Sequence, residues 1–268
     1  MIAASGMSGI ITLITDYGLR DPFVGIVTGQ ILARFRDARV VSLTHEVTPF
    51  QPGEAGFWLS RSWREFPTGT VHVAVVDPGV GTPRDILVVG AAGHLFLAPD
   101  NGLLDRVRHS VRVEHCHRLD VARLAAFEIH PRSNTFHGRD LFAPVAAELA
   151  AGRALPADMG PASLLGALQQ PERQPGRGQV VVIDRYGNLI SDLEADEVAA
   201  VVATHVRLAG RDLPLRRTYG DAGAGEALAL VNSFGLVEVA VNGGSAARTL
   251  GVGRGEILEL VAGAVDRS

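Results

Sequence analysis

From Ile10 to Gly152 short apolar runs alternate with amphipathic stretches, and the elements can be read off in order. Ile10 to Thr15 predicts a buried strand that exits through Asp16-Tyr17-Gly18, and Pro22 to Phe35 predicts a helix with Val24, Val27, Ile31 and Phe35 on one face. Val40 to Leu43 is the next strand, Glu54 to Phe66 the next helix, and Thr70 to Val76 a third strand rich in β-branched residues. Ile86 to Val89 and His94 to Leu97 read as two strands joined by a Gly-containing hairpin loop. Pro99-Asp100-Asn101-Gly102 reads as the cap of a short helix, and a last helix runs from about Asp140 to Ala151. Strands alternating with helices predict an α/β domain whose mainly parallel sheet is flanked by helices.

After the stretch Gln169 to Gly178, which holds Pro171, Pro175, Gly176 and Gly178 among polar residues, the texture changes. Gln179 to Asp184, His205 to Leu208, Ala227 to Val231, Leu236 to Val241 and Glu256 to Leu260 are short strands separated by Gly-rich turns. They predict a smaller antiparallel β-domain, barrel-like in character. The expected division is an N-terminal domain over 9–168, a linker over 169–178 and a C-terminal domain over 179–265, with residues 1–8 as a disordered lead-in.

Composition narrows the chemistry. With 268 residues, 47% hydrophobic content and a net charge of -4, the chain can bury a full core and has no basic surplus for nucleic acid. Its apolar runs fall well short of the roughly 20 residues that span a bilayer, and the N-terminus has no charged region followed by an apolar one. The expectation is a soluble, cytoplasmic protein with neither a membrane nor a nucleic-acid partner. The single cysteine, Cys116, leaves no internal disulfide. All 25 basic residues are Arg and none is Lys, which removes Schiff-base chemistry, a Ser-Lys dyad and a P-loop lysine together.

What remains is carboxylates, His, Arg, hydroxyls and backbone. Asp16 and Asp77 each follow a strand, and parallel strands bring their carboxyl ends to one rim, where open α/β sheets bind ligands. Each Asp alone is also compatible with a turn or N-cap; two on one rim favour a site. Asp77 runs into the glycine-rich turn Pro78-Gly79-Val80-Gly81-Thr82, beyond which Arg84 can fold back as an ion-pair partner. His137, followed by Gly138 at a helix start, has an imidazole free to face a ligand. Asp184 repeats the device of a strand running into Asp and a tight turn, with Asn188 four residues on. Two alternatives stay in view: a divalent cation held by Asp16, Asp77, Asp100 and His137, serving a metal-dependent nucleotide or phosphoester hydrolase, and a non-catalytic binder of adenosine or its derivatives. His115-Cys116-His117 puts two imidazoles on one strand face without further ligands nearby.

Several segments taken together, in order, resemble the S-adenosyl-L-methionine (SAM) hydroxide adenosyltransferases, relatives of the SAM-dependent fluorinase and chlorinase. They are Thr15-Asp16-Tyr17-Gly18, Thr44-His45-Glu46-Val47-Thr48-Pro49, Val76 to Thr82, Pro99 to Gly102, Thr135 to Asp140, Ile183 to Asn188 and Asn242 to Ala247. The resemblance implies hydrolysis of SAM to adenosine and L-methionine by in-line attack of an activated water on the ribose 5′ carbon. SAM would be the substrate, with no cofactor and no metal. It implies a triad of Asp77, Arg84 and His137 around the water, with the base among them left open, and puts a halide-binding Ser of the halogenases on Gly138. It further implies that Asp16 binds the ribose hydroxyls, Phe50 packs on the ligand, Asp184 and Ser233 hold the methionine ammonium and carboxylate, and Asn188 reads adenine with backbone near Gly243. A homotrimer with its site at the subunit interface follows from the resemblance alone.

Overall fold

The structure is a computed structural model, and it describes residues 6–166 and 174–263. The chain divides into two units, residues 1–168 and 169–268. Residues 169–173, the first half of the expected linker, and 1–5 of the expected lead-in lie outside the described residues. Of the rest of that lead-in, Ser8 is not loose: its amide donates to the Gly69 carbonyl at 3.1 Å and its hydroxyl meets that of Thr70 at 3.3 Å.

The first unit is built on β1 (Ile10–Thr15), α1 (Phe23–Arg34), β2 (Arg39–Thr44), α2 (Pro52–Ser62), β3 (Val71–Val75), β4 (Ile86–Ala91), β5 (His94–Pro99), α3 (Asp105–Ser110), β6 (Val113–Arg118), α4 (Val121–Leu124) and α5 (Ala143–Ala150). Among the described residues its sheet has six strands in the order β2-β1-β3-β5-β4-β6. β2, β1, β3 and β5 run parallel, and β4 is antiparallel to both of its neighbours. The side chains of β3 divide by the two-residue period of a strand. Val71, Val73 and Val75 enter one apolar cluster with Ile31 of α1 and Leu149 of α5, whereas Ala74 and Val76 enter another with Leu59 of α2 and Phe96. A sheet buried on both faces needs near-continuous apolar strands, which is why the parallel core is so legible in sequence.

β6 is the strand that the apolar pattern does not announce, because Val113-Glu114-His115-Cys116-His117-Arg118 is an edge strand with only Cys116 buried. The expected helix from Asp140 begins instead with a π-helical turn, Gly138–Phe142, that passes into α5.

The second unit comprises β7 (Arg177–Ile183), β8 (Leu189–Glu194), β9 (Ala203–Leu208), β10 (Arg211–Arg216), β11 (Ala227–Val231), β12 (Leu236–Val241) and β13 (Ile257–Ala262). Among the described residues these seven close into a barrel in the order β10-β11-β12-β8-β7-β13-β9, which removes free sheet edges. The expected antiparallel arrangement needs one correction: β10 and β11 pair in parallel. β8 and β10 escape a reading by pattern because Ser191 and Asp192 interrupt the first and Pro214 the second.

Inside the first unit a buried polar chain crosses the sheet. Thr12 Oγ1 lies 2.8 Å from His72 Nδ1, and His72 Nε2 lies 3.1 Å from His94 Nδ1, with both imidazoles buried. Burial, and then the neighbouring His94, push the His72 pKa down to about 3, and burial lowers that of His94. An imidazole held neutral in the fold but protonated in the unfolded chain contributes stability that is complete above the ordinary histidine pKa of about 6.5 and declines as pH falls towards the folded value. Unfolding by urea should therefore show nearly constant stability above pH 7 and a loss on going to pH 5 that approaches about 1.4 kcal/mol per pH unit for His72 alone. His72→Gln should show a shallower loss over that interval, and an unchanged slope would refute the assignment.

Candidate active site

Thr15 of β1 is paired with Val75 of the parallel strand β3, so Asp16 and Asp77, one and two residues further on, emerge at the same rim. Both line a cavity of about 510 Å³ together with Tyr17, Phe23, Phe50, Phe136 and His137. The rim position follows from parallel pairing, as the sequence implies. The local geometry depends on contacts that no sequence pattern specifies.

Asp77 is held by the turn that follows it. Val80 N–H donates to the Asp77 carbonyl at 3.2 Å, and Thr82 N–H to that of Gly79 at 3.1 Å. Gly81 has φ +79°, and a Cβ there would run into the carbonyl oxygen of Asn134, so only glycine lets the turn lie against the 133–135 segment. The Pro99-to-Gly102 motif serves this exit too, and not as a helix cap: Leu104 occupies the N-cap of α3, while Asn101 Nδ2 donates to the Val76 carbonyl at 2.9 Å.

Arg84 folds back across the turn. Its Nε lies 2.8 Å from both Asp77 oxygens, its Nη2 also donates to Asp77 Oδ2, and the same Nη2 lies 2.8 Å from His137 Nδ1. The paired side chains are 11% and 5% exposed, for Arg84 and Asp77 respectively. A guanidinium is only a donor, so His137 Nδ1 must accept, and the imidazole is neutral with its proton on Nε2. Burial and then the Arg84 charge lower the His137 pKa, against the opposing pull of Asp77 and Asp140.

His137 enters the cavity from the start of the π-helical turn, and Asp140 anchors that segment. The Asp140 side chain is fully buried and accepts from the amides of Arg132 at 3.1 Å and Ser133 at 3.0 Å, and from Arg139 Nε at 2.7 Å. Burial alone would raise its pKa; the hydrogen bonds from Arg139 and Arg132 outweigh that and hold the carboxyl below the ordinary range.

Asp16 is tied to the loop at Phe50. Its Oδ2 accepts the Phe50 amide at 3.0 Å, and Phe50 sits at φ 64°, a left-handed conformation that is costly for an aromatic residue, and the residue is 69% exposed. Three further lining rings stand in edge-to-face contact, with Tyr17 6.0 Å from both Phe23 and Phe136, and Phe23 5.3 Å from Phe136. Tyr17 was legible only as part of the Asp16 motif, with no role attached; its signal is adjacency to Asp16 at a strand exit.

Asp100 does not join the group. It does not line the cavity, and among the described residues no three His, Cys, Asp or Glu side chains are placed to hold a metal ion. In the second unit, Asp184 Oδ1 accepts the amides of Tyr186 at 2.9 Å and Asn188 at 2.8 Å, and Oδ2 accepts Asn188 Nδ2 at 3.0 Å. The left-handed residue of this turn is Gly187. Ser233 and Gly243 lie exposed in loops of the same unit.

Two family models match the chain: the SAM hydroxide adenosyltransferase N-terminal domain over residues 11–160 and the C-terminal domain over 178–259. A protein of Thermus thermophilus named (R)-S-adenosyl-L-methionine hydrolase is 38% identical over 92% of this chain and 98% of its own length. One of the same name from Salinispora arenicola is 39% identical over 94% and 98%. A fluorinase of Actinoplanes is 27% identical over 87% and 91%. The crystal structure of an uncharacterized conserved protein from Thermotoga maritima superposes with a TM-score of 0.85 at 32% identity, over 94% of this chain and all of that one.

The neutral His137 is open to direct test. Titrated by NMR, its ring should show a pKa below 6.5, and Arg84→Met should raise it, because removal of the cation leaves Asp77 and Asp140 as the neighbouring charges. An unmoved value in the variant would mean that the Arg84 contact does not set the protonation state.

Proposed function

We propose a hydrolytic mechanism from a family premise: the chain belongs to the SAM hydroxide adenosyltransferase family. It hydrolyses SAM to adenosine and L-methionine. Neither a metal-dependent phosphoester hydrolase nor a non-catalytic binder is favoured beside relatives that carry the hydrolase name across nearly their whole length. The observation that carries the mechanistic reading is that Arg84 joins Asp77 to His137 at the wall of the cavity that Asp16 also lines.

In the proposed step a water oxygen forms a bond to the ribose 5′ carbon as the bond from that carbon to sulfur breaks. The electron pair leaves with sulfur, giving neutral methionine thioether, so no acid is needed at the leaving group. One water proton stays in the new adenosine hydroxyl and the other must be accepted. Of the triad, Arg84 has no acceptor and His137 spends Nδ1 on Arg84, leaving Nε2–H as a donor. Asp77 is the remaining anion, and we assign it the proton, with His137 orienting the water and Arg84 stabilising the charge that develops. Asp16 is assigned the ribose hydroxyls and Phe50 the face of the ligand; Asp184 and Ser233 take the amino-acid end, and Asn188 with the backbone near Gly243 takes adenine. The proposal includes a homotrimer with its site at the subunit interface, no cofactor and no metal, and the (R)-sulfonium epimer that the relatives' names specify.

Chelator-treated protein given SAM with both sulfonium epimers should release adenosine and methionine in equal amounts and consume the (R) form first. A requirement for added divalent metal would overturn the metal-free step, and preference for the (S) form would overturn the epimer assignment. Asp77→Asn and His137→Ala should each lower turnover at least about 10²-fold with SAM binding nearly retained. Wild-type turnover in both would remove the triad.

A further inference from the structure

Tyr17 has no role in the step above, yet it lines the same cavity as Asp16, Asp77 and His137. Its ring meets both Phe23 and Phe136 edge-to-face, and those two rings also touch each other. The amide of Tyr17 donates to Thr15 Oγ1 at 3.3 Å, but Oη makes no hydrogen bond to any described residue. A partly buried hydroxyl without a partner is costly unless a ligand or water supplies one. Gly138, the residue after His137, lies against it: a Cβ at 138 would overlap Tyr17 Oη, lie 3.3 Å from its Cζ and approach Phe136 Cε2 at 3.4 Å. The phenol stays protonated, since burial and then the charges of Asp16 and Asp77 raise its pKa.

We infer that Tyr17 and Gly138 form a coupled pair in the nucleophile's pocket, with the Tyr17 hydroxyl oxygen accepting a hydrogen bond from the attacking water and Gly138 keeping the space that this hydroxyl needs. The inference rests on the hydrolytic reading. Asp77 accepts one proton of the water, and Tyr17 Oη accepts a hydrogen bond from the O–H that stays in the product. His137 Nε2–H donates to one lone pair, which leaves the second lone pair free to attack and fixes where it points. The absence of a side chain at 138 is then a requirement set by residue 17, and it explains why a glycine stands in a π-helical turn where an alanine would otherwise be the better helix former.

The test is a double-mutant cycle on the full chain, with Tyr17→Phe, Gly138→Ala and the combined variant, each followed by thermal melting and by SAM turnover. Tyr17→Phe should keep its fold, lower kcat about tenfold or more and change KM by less than about threefold. Gly138→Ala should lower both the melting temperature and kcat. Combining it with Tyr17→Phe should restore most of the melting temperature, because the overlapping atom is gone, without restoring kcat. Wild-type kcat in Tyr17→Phe overturns the role of the hydroxyl. Equal melting losses from Gly138→Ala with and without the Tyr17→Phe substitution overturn the steric coupling. The melting cycle does not depend on the substrate. A wild-type protein that leaves SAM intact would thus sink the hydrolytic reading and the hydroxyl's role while the coupling is still decided by the melts.

Discussion

The Arg84 guanidinium is the point on which the cavity depends, because it is bonded at once to Asp77 at a strand end and to His137 in a segment 53 residues further along. Neither contact survives without the docking of two loops. Gly81 allows the first to meet the carbonyl of Asn134, and Asp140 ties down the second through the amides of Arg132 and Ser133. An ion pair this dry is a poor source of net stability, since desolvation of both partners consumes most of the attraction. Its value lies in geometry. A charge that cannot be neutralised fixes the orientation of a carboxylate and the tautomer of an imidazole, so two groups with several possible protonation states are left with one.

Strain gathers in the same place. Phe50 is held in a left-handed conformation by a hydrogen bond to Asp16, and the chain after His137 makes a π-helical turn before settling into α5. Both are conformations that the surrounding structure must impose, and both are frequent near functional sites. The carboxylate that restrains Phe50 also lines the cavity, so one side chain links loop shape to the site.

This explains what the sequence could and could not disclose. The buried parallel strands and the rim position of Asp16 and Asp77 were legible, because apolar runs ending at Asp carry that information locally. The approach of Arg84 to Asp77 was readable as a possibility across a glycine turn. The edge strand β6 and the Ser- and Pro-containing strands of the barrel were not, since their partners and not their own residues make them strands. Tyr17 was hidden for a related reason: its importance comes from Gly138, more than a hundred residues away, and an absent side chain leaves no pattern.

The barrel repeats the principle of buried polar anchoring by other means. Leu236-Val237-Glu238-Val239-Ala240-Val241 reads as a strand with one polar interruption, yet Glu238 is 3% exposed. Its two oxygens accept from Tyr219 Oη at 2.8 Å and Asn232 Nδ2 at 3.0 Å, and Asn232 Oδ1 in turn accepts the amides of Phe234 at 2.9 Å and Leu236 at 3.2 Å. Burial, and then the nearby charge of Asp184, raise the Glu238 pKa against the pull of these donors. The carboxylate thus does for the loop carrying Ser233 what Asp140 does for the segment carrying His137. A fully bonded buried acid is a rigid post for backbone, because each broken bond would leave a polar atom unsatisfied in the core. In each unit a buried acid holds a segment that carries an assigned site residue, His137 in the first and Ser233 in the second.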